Sequence, residues 1–271
     1  MVLFPNCKIN LGLNITSKRS DGYHNIETVF YPILLQDILE AVQAEKLSFQ
    51  SSGLSIDGNI EDNLCIKAWH LLKKDFPDLP SVQIYLHKII PMGAGLGGGS
   101  ADGAFMLSLL NKKFNLELSD EQLIKYALHL GSDCPFFIIN KPVFATGRGE
   151  IMTPITVDLS EYKILIANPR IHISTKEAFS NLTPKVTYKS VNDIIHQPVM
   201  SWKDELLNDF EKPLFKMYPE IETLKQSIYN AGALFSSMSG SGSTVFGLFE
   251  KNTPIRLMFP DHYLKIELQA Q

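Results

Sequence analysis

The chain has 271 residues, of which 45% are hydrophobic, and it carries a formal net charge of -4 with a sequence pI near 6.0. This length allows two domains, each with an apolar core. The acidic balance argues against a general nucleic-acid-binding protein, because phosphate contacts along a nucleic acid require an excess of basic residues. Any site for phosphate groups must therefore be basic locally.

The first residues lack the basic start and long apolar segment of a secretory signal, and no apolar run is long enough to span a membrane. The cysteines are widely spaced and odd in number, which favours reduced thiols without a metal site: Cys7, Cys65 and Cys134. We therefore expect a cytoplasmic protein, monomeric or homodimeric, with neither nucleic-acid nor membrane partners.

An alternating pattern predicts a β-strand over residues 7–15, with apolar residues on one face and Lys8 and Asn10 on the other. The polar face is either solvated or holds an ammonium group for a phosphate or carboxylate. Tyr23 and His24 begin the next predicted strand. This aromatic pair either packs structurally or stacks on a nucleobase.

Short strands are expected between residues 37 and 57, followed by a helix capped by Asp62. A strand that begins at Val82 leads to Lys88 at the start of a glycine-rich loop. Lys88 is there either as a surface charge or as a nucleotide contact.

The glycine-rich loop is the stretch Pro91 to Asp102, with the sequence PMGAGLGGGSAD. Glycine has no Cβ, so the backbone can turn several N–H groups toward one anion, and the helix that follows adds its own unpaired N–H groups. Ser100 is expected to cap that helix. The loop is thus predicted to bind phosphates between a strand and a helix.

Other phosphate-binding families fit this loop less well. Gly93, Gly95 and Gly98 match the dinucleotide-binding pattern, with Glu117 near the expected ribose contact, so an oxidoreductase stays an alternative. However, the loop follows several strands and lies in no clear series of alternating strands and helices. A Walker A motif lacks its closing Gly-Lys-Ser or Gly-Lys-Thr, and the His-Arg-Asp and Asp-Phe-Gly motifs of protein kinases are missing.

Two further regions of the N-terminal half carry predictions. Ser119 and Gln122 form a capping box, and the helix they begin should end at Gly131 in a left-handed cap. Asp133 follows directly. It is either a turn former, the cap of another helix, or a functional carboxylate with a cationic partner.

The C-terminal half is expected to start with a buried strand over residues 162–167, after a boundary between residues 150 and 160. Helices are predicted over residues 202–210 and 219–232, whereas the stretch from Thr253 to Pro260 gives only a poor helix. Residues 236–244 form either a hairpin loop or a lid of small residues over phosphates.

The glycine-rich loop resembles the Pro-x-Gly-x-Gly-Leu-Gly-x-(Ser/Gly)-(Ser/Ala) motif of the GHMP small-molecule kinases. Further motifs in the same order resemble the members of this family that phosphorylate a cytidyl-linked sugar alcohol: Lys8–Leu11, Asp21–His24, Glu61–Leu64, Leu130–Phe137 and Ser239–Thr244. Together these motifs extend over nearly the whole chain. Ala101 stands where the family commonly has a second serine.

The resemblance implies a two-domain α+β GHMP kinase fold, with a nucleotide-binding domain over residues 1–155 and a ferredoxin-like domain over residues 156–271. It implies ATP and Mg²⁺, and transfer of a phosphoryl group to a hydroxyl of a cytidyl small-molecule substrate in isoprenoid precursor synthesis. A GHMP kinase acting on another small alcohol is the alternative.

The resemblance also implies roles for individual residues. Asp133 would be the catalytic base and Lys8 its cationic partner, while Tyr23 and Phe179 would sandwich cytosine. The ATP-binding residues would be Asn63, Lys88, Pro91, Gly93, Gly95, Leu96, Gly97, Gly98, Gly99 and Ser100. The substrate-binding residues would be Asn10, Tyr23, His24, Phe179, Gly240, Ser241 and Gly242. No metal ligand is assigned.

Overall fold

The computed structural model describes residues 1–180, 182 and 189–270. Within them the strands are β1 (Val2–Leu3), β2 (Asn6–Lys18), β3 (His24–Gln36), β4 (Ile38–Gln43), β5 (Ser48–Gly53), β6 (Val82–Lys88), β7 (Val143–Thr146), β8 (Ile151–Pro154), β9 (Tyr162–Asn168), β10 (Phe235–Met238), β11 (Val245–Glu250) and β12 (Leu264–Gln269). The α-helices are α1 (Leu64–Asp75), α2 (Gly98–Phe114), α3 (Asp120–Leu130), α4 (Cys134–Ile139), α5 (Thr175–Ser180), α6 (Val191–Ile195), α7 (Trp202–Glu205), α8 (Glu211–Met217) and α9 (Pro219–Asn230).

The chain forms two compact units that interleave along the sequence. Unit 1 comprises Met1–Cys7, Leu35–Met92 and Gly97–Lys141. Unit 2 comprises Lys8–Leu34, Gly93–Leu96 and Pro142–Gln271. The predicted domain boundary after residue 155 lies between β8 and β9 and stays a prediction.

Unit 1 contains a sheet of order β1-β4-β6-β5, in which only β5 and β6 run parallel among the pairs formed. Helix α2 packs against β4 and against α1, α3 and α4. The alternation of apolar residues in β6 is confirmed, since Val82, Ile84 and Leu86 are all buried. The sheet and α2 therefore enclose the segment that leads into the glycine-rich loop.

Unit 2 contains two sheets, of order β2-β3-β7-β8 and β10-β11-β9-β12, and the strands of the second sheet all pair antiparallel. Helix α9 packs on β10 and β11. An apolar core joins β2, β9, β11 and α9, and the largest contributors to it include Ile15, Leu165, Phe249 and Ile228. Met238 pairs with Val245, so the hairpin, one of the two alternatives for residues 236–244, is confirmed, with residues 236–238 in β10.

Two helix starts differ from the prediction, by one residue for α1 and by three residues for α2. Asn63, not Asp62, caps α1: its backbone is extended and its side-chain oxygen accepts a hydrogen bond from the N–H of Cys65 at 2.9 Å. Helix α2 begins at Gly98, because Gly97 adopts a left-handed backbone with φ of 70° and takes the capping position expected for Ser100.

The ends of two other predicted helices also differ. Gly131 ends α3, but with an extended backbone of φ 168° and not in the left-handed region. The helix expected over residues 202–210 stops at Glu205, because the chain then pairs with β2: the N–H of Leu13 donates to the carbonyl of Leu207 at 2.8 Å. Residues 253–260 form no helix.

The capping box at Ser119 and Gln122 is confirmed. Across the described ranges, no helix combines the length and the apolar character needed to cross a membrane.

Candidate active site

Lys8 and Asn10 lie in β2 and are both buried, at 3% and 2% exposure, so the alternative of a solvated strand face is excluded. The Lys8 ammonium donates to Asn10 Oδ1 at 2.5 Å and to the carbonyl of Gly95 at 3.3 Å. Asn10 Nδ2 in turn donates to Thr28 Oγ1 at 3.0 Å. A buried cation needs such acceptors because desolvation is costly, and they fix the direction in which the ammonium points.

The unit 2 portion of the glycine-rich loop is tied to the hairpin loop between β10 and β11. Ser239 Oγ accepts from the N–H of Asn10 at 3.2 Å and donates to the carbonyl of Gly95 at 2.9 Å. The N–H of Thr244 donates to the carbonyl of Ala94 at 3.3 Å, and the N–H of Lys8 donates to that of Leu96 at 3.0 Å. The loop is thus held by backbone contacts on two sides.

Gly95 is required by this packing. Its φ is +78°, and a Cβ at this position would lie 1.9 Å from the carbonyl oxygen of Ser239. Any other residue would have to push the two loops apart.

Asn208 holds the hairpin loop in place, a role that sequence reasoning missed. Its Nδ2 donates to the carbonyls of Met238 at 2.7 Å and Gly240 at 2.9 Å, while its Oδ1 accepts from the N–H of Phe210 at 3.0 Å. A Cβ on Gly240 would lie 3.3 Å from Asn10 Oδ1. The predicted stretch Gly240–Gly242 therefore starts beside the Lys8–Asn10 pair.

The predicted aromatic residues form two separate contacts. His24 stacks on Phe179 with ring centroids 4.9 Å apart and planes 18° apart, and Phe179 also makes an edge contact with Phe210. Tyr23 is exposed, and the Arg148 guanidinium lies 4.9 Å from its ring centroid. Burial lowers the pKa of His24, with a further contribution from Lys18.

The predicted sandwich of cytosine between Tyr23 and Phe179 stays a prediction. The structure pairs Phe179 with His24, whereas the sequence predicted a slot between Phe179 and Tyr23. Planar groups prefer to stack, so Phe179 uses the imidazole ring as its partner in this structure. Arg148, to which the sequence assigned no role, is the partner of Tyr23.

In unit 1, the N-terminus of α2 is shaped to receive an anion. The N–H groups of its first turn, Gly98 to Ser100, have no acceptor in the preceding turn of the helix, and the helix dipole places positive charge there. A Cβ on Gly98 would lie 2.7 Å from Ile90 Cγ2, and a Cβ on Gly99 would lie 3.0 Å from Met92 Cε. The glycines thus let the loop pack tightly beneath the N–H groups of this first turn, which fits phosphate binding.

Lys88 does not have the position expected of a nucleotide contact. Its side chain is fully buried, and its ammonium donates to Asp37 Oδ2 and, at 2.7 Å, to Asp102 Oδ2. Burial would lower the pKa of Lys88, but the two carboxylates outweigh it and raise that pKa. The prediction that Lys88 touches the nucleoside is therefore corrected, because both carboxylates and the surrounding protein separate its charge from solvent.

Burial of this cluster is unfavourable for the ionised form of Asp102. One oxygen accepts from Lys88, while Oδ1 is buried with no hydrogen-bond partner among the described residues. Burial raises the pKa of Asp102 to about 7, against the lowering effect of Lys88. Neither Asp37 nor Asp102 was assigned a role from the sequence, since nothing in the local pattern reveals that they meet one lysine.

Asp133 occupies the N-cap position of α4, but its side chain accepts no capping hydrogen bond from the helix N-terminus. Capping by its side chain, one of its structural alternatives, is therefore excluded. The neighbouring Cys134 is buried, and burial raises the pKa of its thiol to about 12, while a hydrogen bond with Ser100 acts in the opposite direction. Ser100 thus lies beside the Cys134 thiol, next in the sequence to Asp133.

The buried Asp102 makes stability depend on pH. Because its pKa in the folded protein is about 7 and its ordinary value is 3.8, the folded state retains a proton that the unfolded state loses in between. Wild-type stability relative to Asp102→Asn should therefore fall as pH rises from 4 to 7, by up to about 1 kcal/mol per pH unit, and then level off. Urea unfolding of both proteins at pH 5, 6, 7 and 8 measures this difference; a constant difference would contradict the prediction.

Comparison with known protein families supports the sequence-based interpretation. The model of the GHMP kinases N terminal domain matches residues 63–141, and that of the GHMP kinases C terminal domain matches residues 194–258. Structurally, the Methanococcus jannaschii mevalonate kinase has the same fold, with a TM-score of 0.71 at 13% identity over 100% of this chain and 98% of that one.

Proteins with higher sequence identity to this chain are named as kinases of a cytidyl substrate. The 4-diphosphocytidyl-2-C-methyl-D-erythritol kinases of Azobacteroides pseudotrichonymphae and Parabacteroides distasonis are 56% and 48% identical, covering 93% and 97% of this chain and 94% and 98% of their own. A crystal structure of 4-(cytidine 5'-diphospho)-2C-methyl-D-erythritol kinase is 30% identical with a TM-score of 0.80, covering 92% of this chain and 90% of that one. The predicted two-domain α+β fold is confirmed. The chain belongs to the GHMP kinases and, within them, to the family of 4-diphosphocytidyl-2-C-methyl-D-erythritol kinases.

Proposed function

We propose that the protein transfers the γ-phosphoryl group of ATP to the 2-hydroxyl of 4-diphosphocytidyl-2-C-methyl-D-erythritol, giving the 2-phosphate and ADP. It would act in the cytoplasm, in the synthesis of isoprenoid precursors. The observation that carries the proposal is the buried Lys8 ammonium, which is held against the carbonyl of Gly95 in the glycine-rich loop. A cation fixed beside a phosphate-binding loop suits phosphoryl transfer, where charge stabilisation contributes much of the catalysis.

In the proposed reaction, the acceptor oxygen forms a bond to the γ-phosphorus while the bond from that phosphorus to the β,γ-bridging oxygen breaks. The hydroxyl proton passes to the carboxylate of Asp133, and ADP leaves. Lys8 offsets the negative charge on the transferring group and orients the hydroxyl. Because the transition state of phosphoryl transfer is loose, positioning matters as much as the basicity of Asp133.

Asn10 has a more specific role in this proposal than contact with substrate alone. Its side-chain oxygen accepts from Lys8 and its nitrogen donates to Thr28, so it orients the ammonium. Ser239 ties the same strand to the glycine-rich loop. The acceptor-binding roles of Asn10 and of Gly240, Ser241 and Gly242 stay predictions.

ATP, the phosphoryl donor, would bind with its phosphates along Gly95 to Ser100, where free N–H groups and the dipole of α2 favour an anion. Pro91 and Gly93 would shape the start of this loop. Asn63 would contact the nucleoside through its amide nitrogen, since its oxygen already caps α1.

Mg²⁺ would be held mainly by the ATP phosphates and water. Among the residues that the structure describes, no group of three or more His, Cys, Asp and Glu side chains could hold a metal. Such a site fits Mg²⁺, which retains several waters and often binds with the substrate phosphates. When bound, the ion would supply charge neutralisation on those phosphates.

For the acceptor, His24 and Phe179 offer stacked rings and Tyr23 an exposed one, so cytosine recognition would combine ring contacts with hydrogen bonds from the imidazole. Buried polar contacts of this kind discriminate strongly against an acceptor that lacks the base.

A panel of acceptors tests the proposed reaction. The purified protein should form ADP and one new monophosphate ester with the cytidyl substrate, and should act at least about 100-fold less efficiently on homoserine, mevalonate or galactose, since only the first offers a base to bind. Phosphorylation of another alcohol in place of the cytidyl substrate would leave the GHMP activity and reject the acceptor. Saturable NAD binding would favour an oxidoreductase. Binding of ATP without phosphorylation of any acceptor would favour a noncatalytic nucleotide-binding module.

Substitutions test the catalytic roles. Asp133→Asn should lower kcat by roughly 10²–10⁴-fold because the proton acceptor is lost, and Lys8→Ala by roughly 10²–10³-fold because the fixed charge is lost. If the two groups act as a unit, the double variant should be little slower than the worse single one. Lys46→Ala, at an exposed lysine outside the site, serves as the control for loss of a basic residue, and fully additive effects would contradict a joint role.

Tyr23 tests acceptor binding separately from chemistry. Tyr23→Ala should raise KM for the cytidyl substrate by about 10-fold, given about 1–3 kcal/mol for stacking of one base, with KM for ATP unchanged. Tyr23→Phe keeps the ring and is the matched control. If the phenylalanine variant loses as much affinity as the alanine variant, ring stacking is not what Tyr23 provides.

A further inference from the structure

A buried charge cluster in unit 1 lies at the base of the glycine-rich loop and has no part in the chemistry described above. It consists of Asp37, between β3 and β4, Lys88, the last residue of β6, and Asp102, in the second turn of α2. All three are buried, with exposures of 0%, 1% and 3%. They come from three separate segments, so the cluster connects parts of the chain that the loop must hold in register.

Asp37 fixes the point at which β6 ends. Its Oδ1 accepts from the N–H groups of Ile89 at 2.5 Å and Ile90 at 2.9 Å, and its Oδ2 accepts from Lys88. The N–H of Asp37 itself donates to the carbonyl of Pro5 at 2.8 Å. The backbone that enters the glycine-rich loop is therefore held by one carboxylate.

Lys88 connects the end of β6 to helix α2. Its ammonium donates at 2.7 Å to Asp102, and it lies 3.1 Å from the place that a Cβ on Gly98 would take. Gly98 is the first residue of α2. The ammonium thus lies directly under the turn whose N–H groups are unpaired, with one carboxylate on the strand side and the other on the helix side.

The composition of the cluster is unfavourable for stability alone. Two carboxylates share one lysine, and one oxygen of Asp102 has no hydrogen-bond partner within the described residues. Replacing buried ion pairs by apolar residues of similar size is often neutral or stabilising, so such a group calls for another explanation. The position of the cluster, which connects the two ends of the glycine-rich loop, provides that explanation.

We infer that Asp37, Lys88 and Asp102 are positioning residues for the donor nucleotide: they fix the first turn of α2 relative to the end of β6, so that its N–H groups converge on the triphosphate. This inference rests on the proposed function, because it takes ATP as the ligand of the loop. None of the three side chains touches the nucleotide. The hydrogen bonds of Lys88 to Asp37 and Asp102 act on nucleotide binding indirectly, by fixing the position of the backbone that forms the loop.

Asp102 is the best position for a test, because its removal leaves Lys88 and Asp37 as a balanced pair. Asp102→Ala should weaken binding of a nonhydrolysable ATP analogue by about 10-fold, since the tie to α2 is lost, which corresponds to 1.4 kcal/mol. Asp102→Asn retains an acceptor for Lys88 and should restore most of that affinity. Titration calorimetry with the analogue and Mg²⁺ measures both.

The pair of variants separates positioning from simple electrostatics. In titrations at pH 8, where Asp102 is mainly ionised, both substitutions remove one negative charge near an anion site, so a purely electrostatic role predicts equal and tighter binding in both. That result would overturn the inference, as would an affinity of Asp102→Ala within threefold of wild type.

Leu107→Ala, a fully buried position on the same helix away from the cluster, is the control for general loss of stability. It should lower the melting temperature and leave analogue affinity within twofold of wild type; weakening equal to that of Asp102→Ala would overturn the inference. Binding of the analogue needs no acceptor. A failure of the proposed cytidyl-substrate activity is therefore distinguishable from a failure of this inference.

Discussion

The buried ammonium of Lys88 is the interaction on which the phosphate-binding side of unit 1 depends. A charge with no access to solvent must be paired, and the pairing here determines where β6 ends and where α2 begins. The glycines of the loop are needed because this arrangement leaves little space: a side chain at Gly98 would collide with Ile90 and Lys88. Charge pairing and glycine content are therefore two aspects of one packing problem.

Unit 2 also contains a buried ammonium, that of Lys8, beside the glycine-rich loop. Gly95 is held by Ser239 and Lys8, and its left-handed backbone brings it into direct contact with the carbonyl of Ser239. The Lys8 ammonium donates to the amide oxygen of Asn10 and to the carbonyl of Gly95. Each acceptor also has a partner of its own, so the network has few alternative arrangements.

The sequence predicts the parts of this structure that depend on local patterns. Alternating residues predicted β2 and β6, a short apolar run predicted β9, and the motif around Gly95 with its companions predicted the family and the fold. It failed where tertiary contacts decide. Nothing near Lys88 reveals two distant aspartates, and nothing near Phe210 reveals that the preceding residues leave their helix to pair with β2.

The capping residues of α1 and α2 were likewise not predictable from local sequence alone. Asp62 and Asn63 are both good capping residues, and only the extended backbone of Asn63 distinguishes them. Ser100 was expected to cap α2 because serine commonly does, yet the left-handed Gly97 takes the cap and the helix starts three residues earlier. A side-chain preference is worth about 1 kcal/mol, which the packing of a whole loop readily exceeds.

The net charge of -4 led to the expectation that a phosphate site must be locally basic. In unit 1 this holds only in part, because the charge of Lys88 is cancelled by two carboxylates. What remains at the surface of the loop is a set of backbone N–H groups and the dipole of α2. Anion recognition there depends on the direction of those groups more than on the number of lysines. A buried cluster that fixes their direction can therefore matter to nucleotide binding without meeting the nucleotide.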